Sequence, residues 1–309
     1  MAKYIKTKDG IFQVSYNENG YIYDIHGEII CDENEKNVVF ADTLEEINKT
    51  LLPLDLDNYY SKQANIDYFS VSQLKDFLKC EKYALAKING EYIEEKAKPM
   101  LVGGYVDAYF SDRLDQYKVE NPSIYKKDGT LLKDFEKAEE CINTINNDTF
   151  FLGELKGEKQ KIITGFIAGV PFKCALDFDD IDDITDLKCI ASIRELAWND
   201  ELRKFVNFII NYKYDWQGAI YQEIERQRVD YQKNFRLACV SKEEQPDKAI
   251  IKLPQSMLDK ALAQIIELVP HWELVKKGLV EPTGCGNCPV CRKYNRLDRV
   301  VDYEELFGE

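Results

Sequence analysis

The sequence predicts an α/β fold with a mixed central sheet flanked by helices and a small β-rich unit at the N-terminus. Two observations carry this. Apolar residues alternate with polar ones over residues 1 to about 50, the period of half-buried strands. Beyond residue 60, helical periodicity gives way to a strand meander, then to a helix, two strands and a closing helix, an order that suits a mixed sheet with helices packed on it. With 309 residues, 45% hydrophobic and 31% charged, the chain is long enough for one large or two modest domains. No apolar run reaches the ~18 residues of a membrane span, and the first residues lack the apolar core of a signal peptide. A cytoplasmic protein is the expectation. The net charge of −14 argues against a general nucleic-acid coat. It leaves room for an enzyme with a local basic track, or for one whose acidic site binds metal.

Taken in order, "YIKTKDGIFQVSY" and "GYIYDIHGEII" read as strands, with Asp9-Gly10 and Asn19-Gly20 as hairpin signals. "TLEEINKTL" reads as a short helix and "LPLDLDNYYSKQANID" as a linker. In "YFSVSQLKDFLKCEKYALAKI", Ser70 and Gln73 form a capping box, and Leu74, Phe77, Leu78 and Tyr83 keep one apolar helical face. A further helix follows Pro99, and residues 118 to 156 are polar with helical stretches. "QKIITGFIAGVPFKCALDFDDID" predicts two antiparallel strands around a glycine-containing turn, and "DITDLKCI" a third. "IRELAWNDELRKFVNFIINYKY" and "DWQGAIYQEIERQR" read as helices, the second capped by Asp215. "FRLACVSK" and "KAIIKLP" are strands, and "QSMLDKALAQIIELVPHWELVKKGL" is the closing helix.

The stretch "CALDFDDIDDITDLKC", residues 174–189, holds six aspartates and one lysine between segments that otherwise read as buried strands. Asp177 ends one of them. Asp186 and Lys188 lie two apart on the next, so they share a face. If the strands pair across the intervening turn, Asp177 approaches Asp186. Two adjacent carboxylates repel unless a divalent cation neutralises them, and magnesium or manganese suits such oxygen ligands. A lysine beside them would orient a water or stabilise phosphate charge. The plainer alternative is an acidic hairpin tip with a solvated lysine.

Downstream, Gln217 and Tyr221 stand four apart on one helix face. Together the motifs Cys174-Ala175-Leu176-Asp177, Asp186-Leu187-Lys188 and Gln217 to Tyr221 resemble the PD-(D/E)xK nuclease superfamily. The likeness is to its RecB-type branch, and most to the RecE-like exonuclease VIII proteins of phages and prophages. "SVSQLKDFLKC" resembles that family's first helix. "GGYVD" aligns with its Gly-x-x-x-His, with Asp107 in place of the histidine. The resemblance runs from about residue 65 to 291. It implies a restriction-endonuclease-like core in which Asp177 and Asp186, with Asp107, bind magnesium or manganese, and Lys188 activates the attacking water. Gln217 and Tyr221 would contact the DNA backbone or support the site. Asp107 has a rival reading as a polar position on an amphipathic helix. Arg194 is a phosphate contact or a surface arginine. Asp179, Asp180, Asp182 and Asp183 are expected on a solvated turn, although Asp179 would replace Asp177 in another register.

Eight of the nine cysteines divide into two groups, with Cys80 apart from both. Cys31, Cys141, Cys174, Cys189 and Cys239 sit among apolar neighbours as expected buried thiols. Cys285, Cys288 and Cys291 form Cys-x-x-Cys-x-x-Cys, a spacing that wraps one metal centre. Some RecB-type nucleases have one cysteine before the core and three after it, together holding an iron–sulfur cluster. Cys80 stands at the corresponding early position, and zinc is the rival occupant. His271 is not favoured as a ligand, and His26 is read as structural. The expected organisation is a β-rich unit and linker over 1–60, the nuclease core over 61–280, and a cysteine clasp and tail over 281–309. The resemblance implies a magnesium-dependent exonuclease that resects double-stranded DNA in phage or prophage recombination, with a single-strand annealing recombinase as partner and a homo-oligomeric assembly. A non-catalytic DNA-binding module on the same fold is one alternative. An endonuclease or adaptation-type nuclease with the same site is another.

Overall fold

The computed structural model describes residues 4–7, 10–18, 21–24, 29–32, 39–41, 51–296 and 299–308. The N-terminal strands β1 (Tyr4–Thr7), β2 (Gly10–Glu18), β3 (Tyr21–Asp24), β4 (Ile29–Asp32) and β5 (Val39–Ala41) form their own sheet in the order β4-β3-β2-β1-β5. Thr7 pairs with Gly10 and Glu18 with Tyr21, so both expected hairpins are present. All but Leu51 of the helix expected over 43–51, together with His26 and the Cys31 side chain, lies outside the described residues.

Helices then run α1 (Lys62–Asp67), α2 (Val71–Lys79), α3 (Glu81–Asn89), α4 (Lys98–Phe110), α5 (Leu114–Glu120), α6 (Lys133–Asn146) and α7 (Thr149–Glu154). The segment read as a linker therefore contains α1, whose first turn is closed by Ser61 accepting the Ala64 N–H at 3.1 Å. Half of the capping box forms: Ser70 Oγ accepts the Gln73 N–H at 3.4 Å, while the Gln73 amide donates to the Asn65 carbonyl. The single helix expected through residue 88 is two helices, because Cys80 is fully extended (φ −177°, ψ 123°).

The main sheet comprises β6 (Glu158–Ile167), β7 (Val170–Asp179), β8 (Asp183–Ile190), β11 (Asn234–Ser241) and β12 (Lys248–Lys252) in the order β12-β11-β8-β7-β6. Only β8 and β11 are parallel. Between them stand a hairpin of β9 (Ala197–Asn199) and β10 (Lys204–Val206), α8 (Phe208–Asn211) and α9 (Tyr214–Val229). That hairpin replaces most of the helix expected over 193–214. Lys213, in the left-handed conformation, caps α9 in place of Asp215, which lies inside its first turn. The chain closes with α10 (Gln255–Lys276), α11 (Pro289–Tyr294) and α12 (Tyr303–Phe307).

Alternation along β11 divides the core. Leu237 and Cys239 join Leu74, Phe77, Ile220 and Ile265 from α2, α9 and α10 on one face. Ala238 and Val240 join Tyr105, Val106, Phe135 and Ile142 from α4 and α6 on the other. Cys141, Cys174 and Cys239 are buried as expected; Cys189 is half-buried. α9 approaches the sheet at Gly218, where an added Cβ would come within 2.4 Å of the Phe235 ring.

Asp179 and Asp183 correct the expectation of a solvated aspartate turn, since both are buried. Asp183 meets Arg236 in an ion pair and accepts from the Asn234 amide at 2.9 Å. Asp179 is held by Lys161 and, at 2.6 Å, by Lys233, which also reaches Glu225 at 2.7 Å. Arg228 donates twice to the same Glu225, at 2.8 and 2.6 Å. Buried ions persist only when paired in this way. Asp180 bridges to Lys156 at 2.8 Å, and only Asp182 is exposed.

Burial opposes the Glu225 charge, but Arg228 and Lys233 overcome it and bring the carboxyl down to about 2. A depressed carboxyl pKa contributes stability above the unfolded value of about 4.3, lost as pH falls towards the folded one. Glu225→Gln should therefore lower the urea midpoint clearly at pH 7. The gap from wild type should shrink progressively below about pH 4; a pH-independent gap would show that the loss is packing rather than charge.

Candidate active site and cysteine clasp

β7 and β8 pair at Phe178↔Thr185 and Asp179↔Ile184, and this register goes no further. Asp177 is the next residue back along β7. Its Oδ2 accepts the Leu187 N–H at 2.9 Å, so a carboxylate takes a β8 donor where the ladder has stopped. Across β7, Lys159 pairs with Phe178 and Lys161 with Leu176, which sets Gln160 opposite Asp177. Gln160 has φ +51°, a strained value for a residue with a side chain. Its amide lies 3.2 Å from Asp177 Oδ1 and 3.3 Å from Asp107 Oδ1, and its Oε1 accepts from Arg113 at 3.2 Å. Arg113 also stands 4.0 Å from Asp107 Oδ2.

On the other side of the parting, Asp186 is 1% exposed. Its Oδ1 accepts from the Gln217 amide at 2.6 Å, and its Oδ2 touches the Lys188 ammonium as an ion pair. Oδ2 is nonetheless fully buried without a directed hydrogen bond. The Lys188 ammonium also lies 5.1 Å from the centre of the Tyr214 ring. Tyr221, one turn beyond Gln217, packs edge-on against Phe235 with ring centres 6.2 Å apart.

The electrostatics follow from this crowding. Burial, then Asp186 and Asp107, push the Asp177 carboxyl well above the usual range. Asp107 is raised by burial and by Asp186, against the opposing pull of Lys188 and Arg113. Burial works against the Lys188 charge, yet Asp186, Tyr214 and Asp177 hold its pKa above that of an ordinary lysine. Three carboxylates face two cations, Lys188 and Arg113, and Asp186 Oδ2 is met by the Lys188 ammonium alone. That donor set fits a hard divalent cation.

The structure thus gathers Asp107, Asp177, Asp186, Lys188 and Gln217, with Tyr221 beside them. Arg194 stands apart, 78% exposed at its side chain and paired with Asp247 at 2.8 Å. Sequence reasoning missed Gln160, Arg113, Tyr214 and Lys75. Lys75, on α2, lies 5.2 Å from the Tyr214 ring centre, and its pKa is lowered to about 8 by burial and then by Lys188. Nothing in the local pattern around Gln160 marks it, since its signal is a backbone angle.

The second cluster joins the ends of the core. The Sγ atoms of Cys80, Cys285, Cys288 and Cys291 all lie within 4.8 Å of one another, a group able to hold a metal ion. Cys80 is 3.6 Å from Cys291 and 3.8 Å from Cys288. The break between α2 and α3 turns Cys80 towards the C-terminal loop. There, backbone N–H groups of Cys285, Cys288 and Cys291 donate to the sulfurs of Cys80, Cys285 and Cys288 at 3.4, 3.2 and 3.4 Å. Burial opposes the Cys285 thiolate, but N–H donors from Asn287 and Cys288 bring it down to about 6. Glu81 secures the same junction: it accepts the Thr283 N–H at 2.7 Å and hydroxyl at 2.8 Å, and meets His271 at 2.8 Å. His271 therefore serves Glu81 rather than the sulfurs.

A mixed sheet that parts to seat an aspartate against an Asp-x-Lys strand, with a glutamine from the following helix, defines a PD-(D/E)xK nuclease-superfamily core. The family described as "PDDEXK-like domain of unknown function (DUF3799)" matches residues 70–294, and the chain belongs to it. Among solved structures, the chain is similar to a crystal structure from Eubacterium rectale described as a "Putative exonuclease". The two are 38% identical with a TM-score of 0.80, and the match covers 83% of this chain and 99% of that one. No curated protein matches.

The clasp joins residues about two hundred positions apart, so breaking it releases a long loop. Cys285→Ser should lower the thermal midpoint by roughly 5–10 °C and reduce bound metal. An unchanged midpoint in metal-loaded protein would remove the clasp from the fold's stability.

Proposed function

We propose that the chain is a divalent-metal-dependent deoxyribonuclease that degrades duplex DNA from an end. The observation that carries this reading is the convergence of Asp107, Asp177, Asp186 and Lys188 where β7 and β8 part. Membership of the PDDEXK-like family and likeness to a protein described as an exonuclease support it. Delivery of the resected strand to an annealing recombinase carries over from the RecE-like resemblance.

Asp177 and Asp186, joined by Asp107, would hold magnesium or manganese. A bound ion of this kind acidifies water and offsets charge building on the phosphate. Gln217 fixes Asp186 through Oδ1, leaving Oδ2 turned to Lys188. Gln160 holds Asp107 and Asp177 through a single amide, which sets the spacing between the ligands from β7 and α4. Lys188 stays protonated and half-buried, so it acts as a fixed cation that orients the nucleophilic water and the phosphate oxygens. In the clasp, a tetrahedral ion with metal–sulfur bonds of ~2.3 Å would set the sulfurs about 3.8 Å apart. The 3.6 and 3.8 Å separations favour zinc over a cubane, which gives each thiolate its own iron and spreads the sulfurs further.

Three results are expected. End-labelled linear duplex should be consumed with magnesium present, while covalently closed circles survive; rapid linearisation of the circles would instead indicate an endonuclease. Asp186→Asn should cut the rate by roughly a hundredfold or more, and Lys188→Ala should do the same while retaining metal binding by calorimetry. Elemental analysis of anaerobically purified protein should give one zinc per chain and no colour. A brown protein with four irons would overturn the zinc assignment and leave the nuclease reading untouched.

A further inference from the structure

A cleft of about 500 Å³ opens beside the candidate site, lined by Lys75, Lys79, Tyr212, Lys213 and Tyr214. Its volume is within the range of pockets that take a small organic group. Tyr214 forms the shared wall: its ring centre is 5.1 Å from the Lys188 ammonium and 5.2 Å from that of Lys75. One ring thus separates the cleft from the lysine of the carboxylate cluster. Tyr212 stands at its rim, 48% exposed, with its ring centre 5.8 Å from that of Tyr214. Glu201, from the loop between β9 and β10, also lines the cleft and is engaged by Lys213 at 3.2 Å. That pairing neutralises the one carboxylate in the lining, so Lys75 and Lys79 set the sign of the cleft's charge. In a chain of net charge −14, such a pocket is a local exception.

Aromatic faces that accept any base and lysines that accept phosphate are the two elements of single-strand recognition. We infer that this cleft is a subsite for one unpaired nucleotide adjoining the scissile phosphate, its base stacked on Tyr212 at the rim and its phosphate on Lys75 and Lys79. A base inside a duplex is stacked on both sides and out of reach of such a pocket. The site consequently requires a frayed or single-stranded terminus, and the nucleotide nearest the cut is held apart from its complement. Any base is accepted, because the one amide in the lining, Asn211, already has its oxygen taken by the Asn199 amide at 3.1 Å, which leaves ring faces and cations as the main contacts.

The inference rests on the deoxyribonuclease reading, so the experiment separates the two. Binding is measured by fluorescence anisotropy of short single-stranded DNA on the non-cleaving Asp186→Asn chain, with and without Tyr212→Ala or Lys79→Ala. Stacking on one aromatic ring predicts that Tyr212→Ala weakens binding about five- to hundredfold, with Tyr212→Trp restoring it. Lys79→Ala should reduce the slope of log affinity against log salt by about 0.7. An oligonucleotide series with a single abasic position should bind more weakly at one position only, and that penalty should vanish on Tyr212→Ala. In the active chain the Tyr212→Ala loss should fall mainly on KM. Equal affinities for wild type and Tyr212→Ala, or an abasic penalty that persists unchanged in the variant, would overturn the subsite. Absence of cleavage by the wild-type chain, with the anisotropy results as expected, would overturn the nuclease reading and leave a single-strand binding cleft.

Discussion

The structure turns on one hydrogen bond between a strand and a side chain. The Leu187 N–H would serve the sheet if β7 and β8 continued as a ladder; instead it goes to Asp177 Oδ2. Opening the sheet there would leave a buried donor unpaired, which costs more than an average hydrogen bond contributes. The carboxylate removes that cost and is fixed in place by doing so. Asp186 is one residue before Leu187, so the same bond fixes the separation of the two acidic groups. β6 supports β7 from outside and β11 supports β8, so the parting is bounded on both sides by regular sheet.

Helix α9 translates that opening into a site because its residues divide among four tasks. Tyr214 borders Lys188, Gln217 orients Asp186, Gly218 lets the helix sit against Phe235, and Glu225 anchors the far end to Lys233. A bulkier residue at 218 would lift the helix and withdraw Gln217 from a 2.6 Å contact. The charge network around Glu225 and Asp179 begins two residues beyond Asp177 on the same strand. A rigid network there holds the strand end whose last turn-ward residues carry the carboxylate.

The strands, the glycine turn of the β6–β7 hairpin and the Asp, Asp-x-Lys and Gln-x-x-x-Tyr sets were legible because each rests on a local period or on a spacing within one element. The hairpin at 197–206 was not: its apolar residues Leu196, Trp198, Leu202 and Phe205 fall at intervals of two to four and imitate one helical face. Asp179 and Asp183 were misjudged because sequence shows the acidic run but not Lys233 and Arg236, which arrive from elsewhere to neutralise them. Gln160 was invisible for the same reason, since its role is set by facing Asp177 across a strand pair and by a positive φ. The break at Cys80 was hidden inside a continuous apolar stripe, and its cause lies two hundred residues away.

That break shows how the two clusters share a frame. The residue after Cys80 is Glu81, which holds Thr283, and the helix before it carries Lys75 to the edge of the carboxylate site. Helix α2 is thus pinned at its C-terminal end by the sulfur cluster and contributes a cation five residues earlier. Movement of Cys80 along the α2 axis by one residue would carry Lys75 about 1.5 Å, a displacement comparable with the tolerance of a positioned catalytic or phosphate-binding group. The clasp therefore needs no contact with the reacting atoms to matter to them. It fixes the axial position of a helix whose lysine faces Tyr214, and through that ring the cation beside Asp186.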